Sequence, residues 1–344
     1  MSASKSAGRN RQWRLAARPV GMVQESDFEL REEPVPAPPA GGFLVRNLML
    51  AFDPAMRAWM EDRPSYIPPV ALGEVMRGSS VGQVVASEHP GFGVGDLVQG
   101  LLGWQDYAAL GPGAPLVSKL PKGTSPREAL GVLGTTGVTA YFGLLDLGRP
   151  RAGETVVVSG AAGATGSVAA QIAKIEGCRV VGIAGGPAKC AWLLEEAGLD
   201  AAIDYKGEDV GQRLGELCPK GIDVYFDNVG GPILDAVLAR IALRARVVLC
   251  GGISRYNEER PSPGPANYLN LVIQRARMEG FIVLDYAPRF GEAVARLAQW
   301  LAEGRLVYRV DVEQGLEHAP RTFLRLFRGE NLGRQLLEIA APPL

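Results

Sequence analysis

Thr155-Val156-Val157-Val158-Ser159-Gly160-Ala161-Ala162-Gly163-Ala164-Thr165-Gly166 is the stretch on which the fold turns. Its first half is an unbroken apolar, largely β-branched run, as expected of a strand buried on both faces of a parallel sheet. Its second half is made of small residues and opens a helix over about 166–176. This is a variant of the dinucleotide fingerprint, with Ala161 standing where the first glycine usually stands. Small side chains let the backbone approach a pyrophosphate, whose charge is met by the helix N-terminus. A glycine pattern alone is a weak signal, but strand before and helix after supply the required context. Ala162, Gly163, Thr165 and Gly166 are therefore cofactor-binding candidates. The uncharged run from Thr155 to Ala173 is long enough to suggest a membrane span. Its glycines and its Ser, Thr and Gln favour strand–turn–helix instead.

Further along, the same alternation continues. Arg179–Ala184 reads as a second buried strand and 187–197 as a helix with Pro187 at its start, where a missing N–H costs little. Ala201–Asp204, Val224–Asp227 and Arg246–Cys250 extend the series, which predicts βαβ units and a doubly wound α/β domain over 131–309. Residues 1–130 differ. Pro34, Pro36, Pro38, Pro39, Gly41 and Gly42 form a loop before the apolar run Phe43–Val45. A strand over 78–86, a turn at Gly91–Asp96 and Leu97-Val98 follow. Short strands between turns predict a small β-rich barrel. The segment 310–344 holds a helix (Pro320–Arg328) and a strand (Arg334–Ile339).

The end of the second strand bears on cofactor choice. NAD enzymes usually place Asp or Glu there to bond the ribose 2′-OH. Here the strand ends Ile183-Ala184-Gly185-Gly186 without an acid, and Lys189 follows in the first turn of the next helix. That offers a point charge to a 2′-phosphate, so NADPH is the expected cofactor, with Gly186 and Lys189 as contacts.

Lys and Arg total 36 against 37 Asp and Glu, which gives no electrostatic reason to expect nucleic acid or an anionic membrane as partner. The four cysteines, Cys178, Cys190, Cys218 and Cys250, form no C-x-x-C and read as inert core thiols of a reducing, cytoplasmic compartment. The opening MSASKSAGRNRQWRL has no apolar core, so no secretory signal is expected. Catalytic zinc needs about three Cys, His or carboxylate ligands. Residues 1–130 contain no Cys and only His89, in the turn Glu88-His89-Pro90-Gly91, where a solvated ring is expected. His318 has no Cys nearby, so no metal site is expected. G-x-S-x-G and H-E-x-x-H are both absent.

Four segments occur in order: Gly160-Ala-Ala-Gly-Ala-Thr-Gly-Ser167, Phe226-Asp-Asn-Val-Gly-Gly231, Cys250-Gly-Gly-Ile-Ser-Arg-Tyr-Asn257 and Arg277-Met-Glu-Gly-Phe281. With Tyr66-Ile-Pro-Pro-Val70 and Gly73-Glu-Val-Met-Arg-Gly78, they resemble the zinc-independent medium-chain dehydrogenases/reductases. Within these, the likeness is to prostaglandin reductases, plant alkenal double-bond reductases and, most of all, bacterial curcumin reductases. It runs from about residue 10 onward. The resemblance implies a GroES-like catalytic domain over 1–130, completed by 310–344, with a Rossmann domain over 131–309 inserted between. It implies that Lys189 and Tyr205 contact the 2′-phosphate. It implies that Asn228, a 250–256 loop bearing Cys250, Gly251, Ile253, Ser254 and Tyr256, a strand Phe281-Ile282-Val283, and Asn331 hold NADPH. It also implies a homodimer.

The activity so implied is reduction of a carbon–carbon double bond conjugated to a carbonyl, in an unsaturated ketone or aldehyde, by hydride transfer to the β-carbon. Without a metal, hydrogen-bond donors must stabilise the enolate oxygen. Tyr256 is the catalytic candidate retained. Some relatives carry a further tyrosine before the Arg-x-Arg segment, where Ile273 stands here, so that role does not transfer. Tyr66 and Tyr268 are candidates to replace the lost phenol; both also read as amphipathic pocket or surface tyrosines. Two other functions fit the same sequence: a quinone reductase, and a catalytically silent NADPH-binding protein.

Overall fold

The computed structural model describes residues 8–260 and 262–342, and its chain divides into two compact units. The first residues of the opening segment, read above for a secretory signal, lie outside the described residues. Unit 1 comprises residues up to Leu130, Val310–Glu330 and Gln335 onward. Its strands are β1 (Arg9–Leu15), β2 (Phe28–Pro34), β3 (Phe43–Ala51), β4 (Ser79–Ser87), β5 (Leu97–Gly100), β6 (Tyr107–Leu110), β7 (Ser118–Lys119), β14 (Val310–Gln314) and β15 (Arg334–Glu338). Helices α1 (Ala55–Trp59), α2 (Pro126–Leu130) and α10 (Ala319–Arg328) accompany them. β1 and β2 form an antiparallel ribbon. The others form a seven-stranded sheet in the order β14-β15-β3-β4-β5-β7, with β6 also pairing β3. The core explains why the C-terminal segment returns. The buried Trp104 stacks on Phe28 at 5.2 Å and meets Phe52 at 5.0 Å and Phe323 of α10 at 5.5 Å, both edge-on. Such aromatic contacts add to the burial of the rings themselves.

Unit 2 comprises Gly131–Arg309 and Asn331–Arg334. It holds β8 (Thr155–Ser159), β9 (Arg179–Ala184), β10 (Ala201–Asp204), β11 (Ile222–Asp227), β12 (Ile241–Leu249) and β13 (Arg277–Gly280). Its helices are α3 (Thr135–Phe142), α4 (Ala164–Ile175), α5 (Pro187–Glu195), α6 (Val210–Leu217), α7 (Gly231–Leu238), α8 (Asn270–Ile273) and α9 (Phe290–Ala302). The sheet order is β10-β9-β8-β11-β12-β13, all paired in parallel. The order reverses direction between β8 and β11, and ligands of open α/β sheets bind beyond the carboxyl ends of the strands at such a switch point. Val156, Val157 and Val158 are fully buried, as their unbroken apolar pattern requires.

Three expectations are corrected. Phe281-Ile282-Val283 is not a strand. The ladder ends at Gly280 opposite Leu249, where β12 itself ends, so the chain has no partner beyond that point. Ile282 remains extended and Val283 opens a 3-10 turn. Residues 331–334 group with unit 2 rather than with the rest of the C-terminal segment, because the Gly333 N–H donates to the Ala162 carbonyl at 2.9 Å. His89 is partly buried, edge-on to Phe43 and Phe92. Its Nδ1 accepts the Gly91 N–H at 2.9 Å, which makes Nε2 the protonated nitrogen, 3.3 Å from the Pro112 carbonyl.

Candidate dinucleotide-binding site

The turn from β8 to α4 needs one left-handed residue, and Gly160 supplies it with φ +58°. That is why Ala161 is tolerated where the fingerprint usually has glycine: the strained position falls one residue earlier. Gly166 is required for a different reason. A Cβ there would lie 2.2 Å from the Gly160 carbonyl oxygen, so helix and strand could not approach. Gly163 begins α4 and carries no capping side chain, which suits the amides of the first turn to an anion. Ala162 is buried, and Gly163 and Thr165 are half-buried beside it. Asn331 joins this turn indirectly. Its Nδ2 donates to the Gly333 carbonyl at 2.9 Å, and Gly333 is the residue bonded to Ala162.

The carboxyl ends of β8, β11 and β12 are tied together by one buried acid. Asp227 Oδ1 accepts from Ser159 Oγ at 2.8 Å, Tyr225 OH at 2.8 Å, Val229 N–H at 3.0 Å and Gly230 N–H at 2.9 Å. Its main-chain carbonyl accepts the Cys250 and Gly251 amides at 2.9 and 3.0 Å. Asn228 donates its Nδ2 to the Ser159 carbonyl at 2.7 Å and its N–H to Ser159 Oγ at 2.9 Å. The next turn hangs from the same segment: Ile253 N–H donates to the Asn228 carbonyl, and the Ser254 N–H and hydroxyl donate to the Val229 carbonyl. Tyr256 closes the loop, its phenol oxygen accepting the Gly252 N–H at 3.2 Å. Burial pushes the Cys250 thiol up to about 12, with the Asp227 charge adding to the effect. Cys178 and Cys218 are likewise pushed up by burial, each to about 11. All three are thiols rather than reactive thiolates at neutral pH.

Most of the candidate residues thus meet at one end of the six-stranded sheet. Gly186 and Lys189 stand at the start of α5, and Tyr205 follows β10, its ring against Gly185. Phe281 packs close to Gly143, where a Cβ would come within 2.5 Å of its ring. Tyr268 is not drawn into this group. Its segment is tied to α7 by Asn267 N–H to Asp235 at 2.8 Å and Asn270 Nδ2 to the Leu238 carbonyl at 3.0 Å, and the residue is 54% exposed. Tyr66 belongs to unit 1, where its oxygen accepts Trp59 Nε1–H at 3.0 Å and Arg77 lies over the Trp59 ring. Ser159, Tyr225 and Asp227 carry the site's framework, and Asp204 its outer turn, yet none was a sequence candidate. The available signal was an acid closing an otherwise apolar strand. No group of three or more His, Cys, Asp or Glu is placed to hold a metal ion among the described residues.

Strand order and turn chemistry define a dinucleotide-binding α/β protein with a separate β-rich unit. Residues 11–117 match the family model for the N-terminal domain of oxidoreductase, and 164–300 that of zinc-binding dehydrogenase. The chain is 44% identical to NADPH-dependent curcumin reductase of Escherichia coli, covering 96% of this chain and 97% of that one. It is 39% identical to the NADP(+)-dependent 2-alkenal reductase of Nicotiana tabacum, covering 93% and 95%. The solved structure of CurA from Vibrio vulnificus in complex with NADPH superposes with a TM-score of 0.92 at 45% identity, covering 96% and 100%. The chain belongs to the medium-chain dehydrogenase/reductase family, in the branch of the curcumin, alkenal and prostaglandin reductases.

Proposed function

We propose that this protein is an NADPH-dependent reductase of the carbon–carbon double bond in α,β-unsaturated ketones or aldehydes, acting without a metal. The observation that carries the reading is likeness over 96% of the chain to a curcumin reductase. The cradle is compatible with the cofactor: a left-handed Gly160, an uncapped α4 and a β9 that ends without an acid of its own, followed by Lys189. The bound nicotinamide supplies a hydride. The chain's residues do the rest. The amides of α4 meet the pyrophosphate. Lys189 and Tyr205 take the 2′-phosphate. Asn228 and the 250–256 loop fix the nicotinamide ribose.

Tyr256 donates a hydrogen bond toward the ribose or the oxygen that gains charge. A hydroxyl that accepts an N–H, as this one does from Gly252, is polarised to donate more strongly. Proton delivery to the α-carbon falls to water or a water-linked tyrosine. No helix among the described residues is long and apolar enough to cross a membrane. We place the protein in the cytoplasm as a homodimer. The test is NADPH oxidation against enones, enals and quinones with product identification, repeated with chelator and with elemental analysis. A saturated ketone or aldehyde as product, unaffected by chelator, supports the proposal. Turnover of quinones alone, no turnover at all, or one zinc per chain needed for activity rejects it.

A further inference from the structure

Asp204 is the last residue of β10. Its Oδ1 accepts the N–H of Gly186 at 2.7 Å and that of Lys206 at 3.0 Å. Gly186 is the residue that starts α5, and it does so at φ +97° and ψ 151°, a conformation only glycine adopts at little cost. The next residue after Asp204 works on the same turn. Tyr205 donates its N–H to the Ala184 carbonyl at 3.1 Å, and its ring closes over Gly185, where a Cβ would lie 2.8 Å from the ring. The turn between β9 and α5 is therefore shaped by β10 as well as by its own residues.

The two amides hold the Asp204 carboxyl below the usual carboxylate range, so it is ionised at neutral pH. Glu208 accepts the Asp204 N–H at 2.8 Å and is itself paired with Arg213 at 2.8 Å, which leaves Asp204 as the acid bonded to the turn. Negative charge here opposes an incoming phosphate, because like charges in partial solvent still repel. An apolar or amide side chain would avoid that repulsion. Two N–H groups, from Gly186 and Lys206, converge on one Asp204 oxygen, and a charged acceptor holds them more strongly than an amide oxygen does.

We propose that Asp204 is a specificity-determining positioning residue, which fixes the β9–α5 turn through the Gly186 amide while its charge limits how tightly a 2′-phosphate is held. The inference rests on the reading of Lys189 and Tyr205 as the 2′-phosphate contacts. The two effects are separable, because Asn keeps an oxygen acceptor and loses the charge, whereas Ala loses both.

The experiment is calorimetric titration of NADP⁺ and NAD⁺ into the purified protein, the Asp204→Asn and Asp204→Ala variants, and Lys189→Ala. The readout is the ratio of the two dissociation constants, NAD⁺ over NADP⁺, with thermal midpoints to show that each variant is folded. Asp204→Asn should raise the ratio about three- to tenfold as repulsion is removed. Asp204→Ala should lower it about tenfold below the unmutated protein, because the turn loses its acceptor. Asn and Ala moving the ratio alike, or Asn leaving it unchanged or lower, overturns the inference. A preference for NADP⁺ that Lys189→Ala diminishes, with the Asp204 variants out of that order, removes only the role of Asp204. No preference for NADP⁺ in the unmutated protein removes the 2′-phosphate site and this inference together.

Discussion

At the scale of single residues, three tyrosines compete for one role, and their settings separate them. Tyr256 lies on the loop hung from Asn228 and Val229 and already accepts a main-chain N–H. Tyr256→Phe should lower the single-turnover rate of reduction by about 10²–10³-fold, the usual worth of one donor at a developing oxyanion. Tyr66→Phe breaks the bond from Trp59, and Tyr268→Phe changes a residue that is 54% exposed; both should retain a chemical rate within a few-fold. Rapid-mixing kinetics of the three variants, with deuterium followed at the α-carbon, measures this. A full rate in Tyr256→Phe would leave the cofactor hydroxyl and solvent as donors. Residues of this kind were unevenly legible in the sequence. Gly160, Gly163 and Gly166 announce themselves, because turn and close packing demand glycine at fixed spacing. Asp227 and Asp204 did not, because an acid at a strand end looks the same whether it faces solvent, a ribose or a backbone amide.

At the scale of elements, the parallel sheet was readable because burial on both faces forces apolar runs such as Val156–Val158. The end of β13 was not, because a strand stops where its neighbour stops, and the register against β12 is not written in either segment alone. Asp227 joins the turns beyond β8, β11 and β12 by local bonds from Tyr225, Val229 and Gly230 and by long-range ones from Ser159, Cys250 and Gly251, and the long-range set is what local sequence cannot disclose. That convergence has an energetic consequence. Asp227→Ala leaves two main-chain amides and two hydroxyls without their acceptor around a fully buried position, and should cost about 1–3 kcal/mol for each donor left unsatisfied in denaturant unfolding. Tyr225→Phe removes one donor to an oxygen that keeps three others, and should cost about 0.5–1.5 kcal/mol. Urea titration of both variants checks the order. Equal effects would mean that Asp227 does not act as the shared acceptor.

At the scale of the whole molecule, the expectation of a homodimer can be joined to a particular surface of unit 2. β13 is the outermost strand of the six-stranded sheet, and an uncovered edge is a template for another strand. It reads Arg277-Met278-Glu279-Gly280, with Arg277 and Glu279 both exposed. Arg277 and Glu279 pair with each other within the chain at 3.8 Å, and the same two charges become self-complementary when two copies pair antiparallel about a two-fold axis. Apolar surface gathers at the same side. Leu269, Val272 and Ile273 are 57%, 72% and 60% exposed around α8, and Leu243 is 54% exposed next to Arg244, whose N–H donates to the Gln274 carbonyl at 2.7 Å. Exposed apolar side chains grouped beside a strand edge are a surface on which association is expected. Sedimentation equilibrium should therefore give twice the chain mass at micromolar concentration. Val272→Lys combined with Ile273→Asp should shift the protein to monomer while its affinity for NADP⁺ is retained, because neither residue belongs to the cofactor candidates. A double variant that stays dimeric would move the interface elsewhere, and a monomeric unmutated protein would reject the dimer itself.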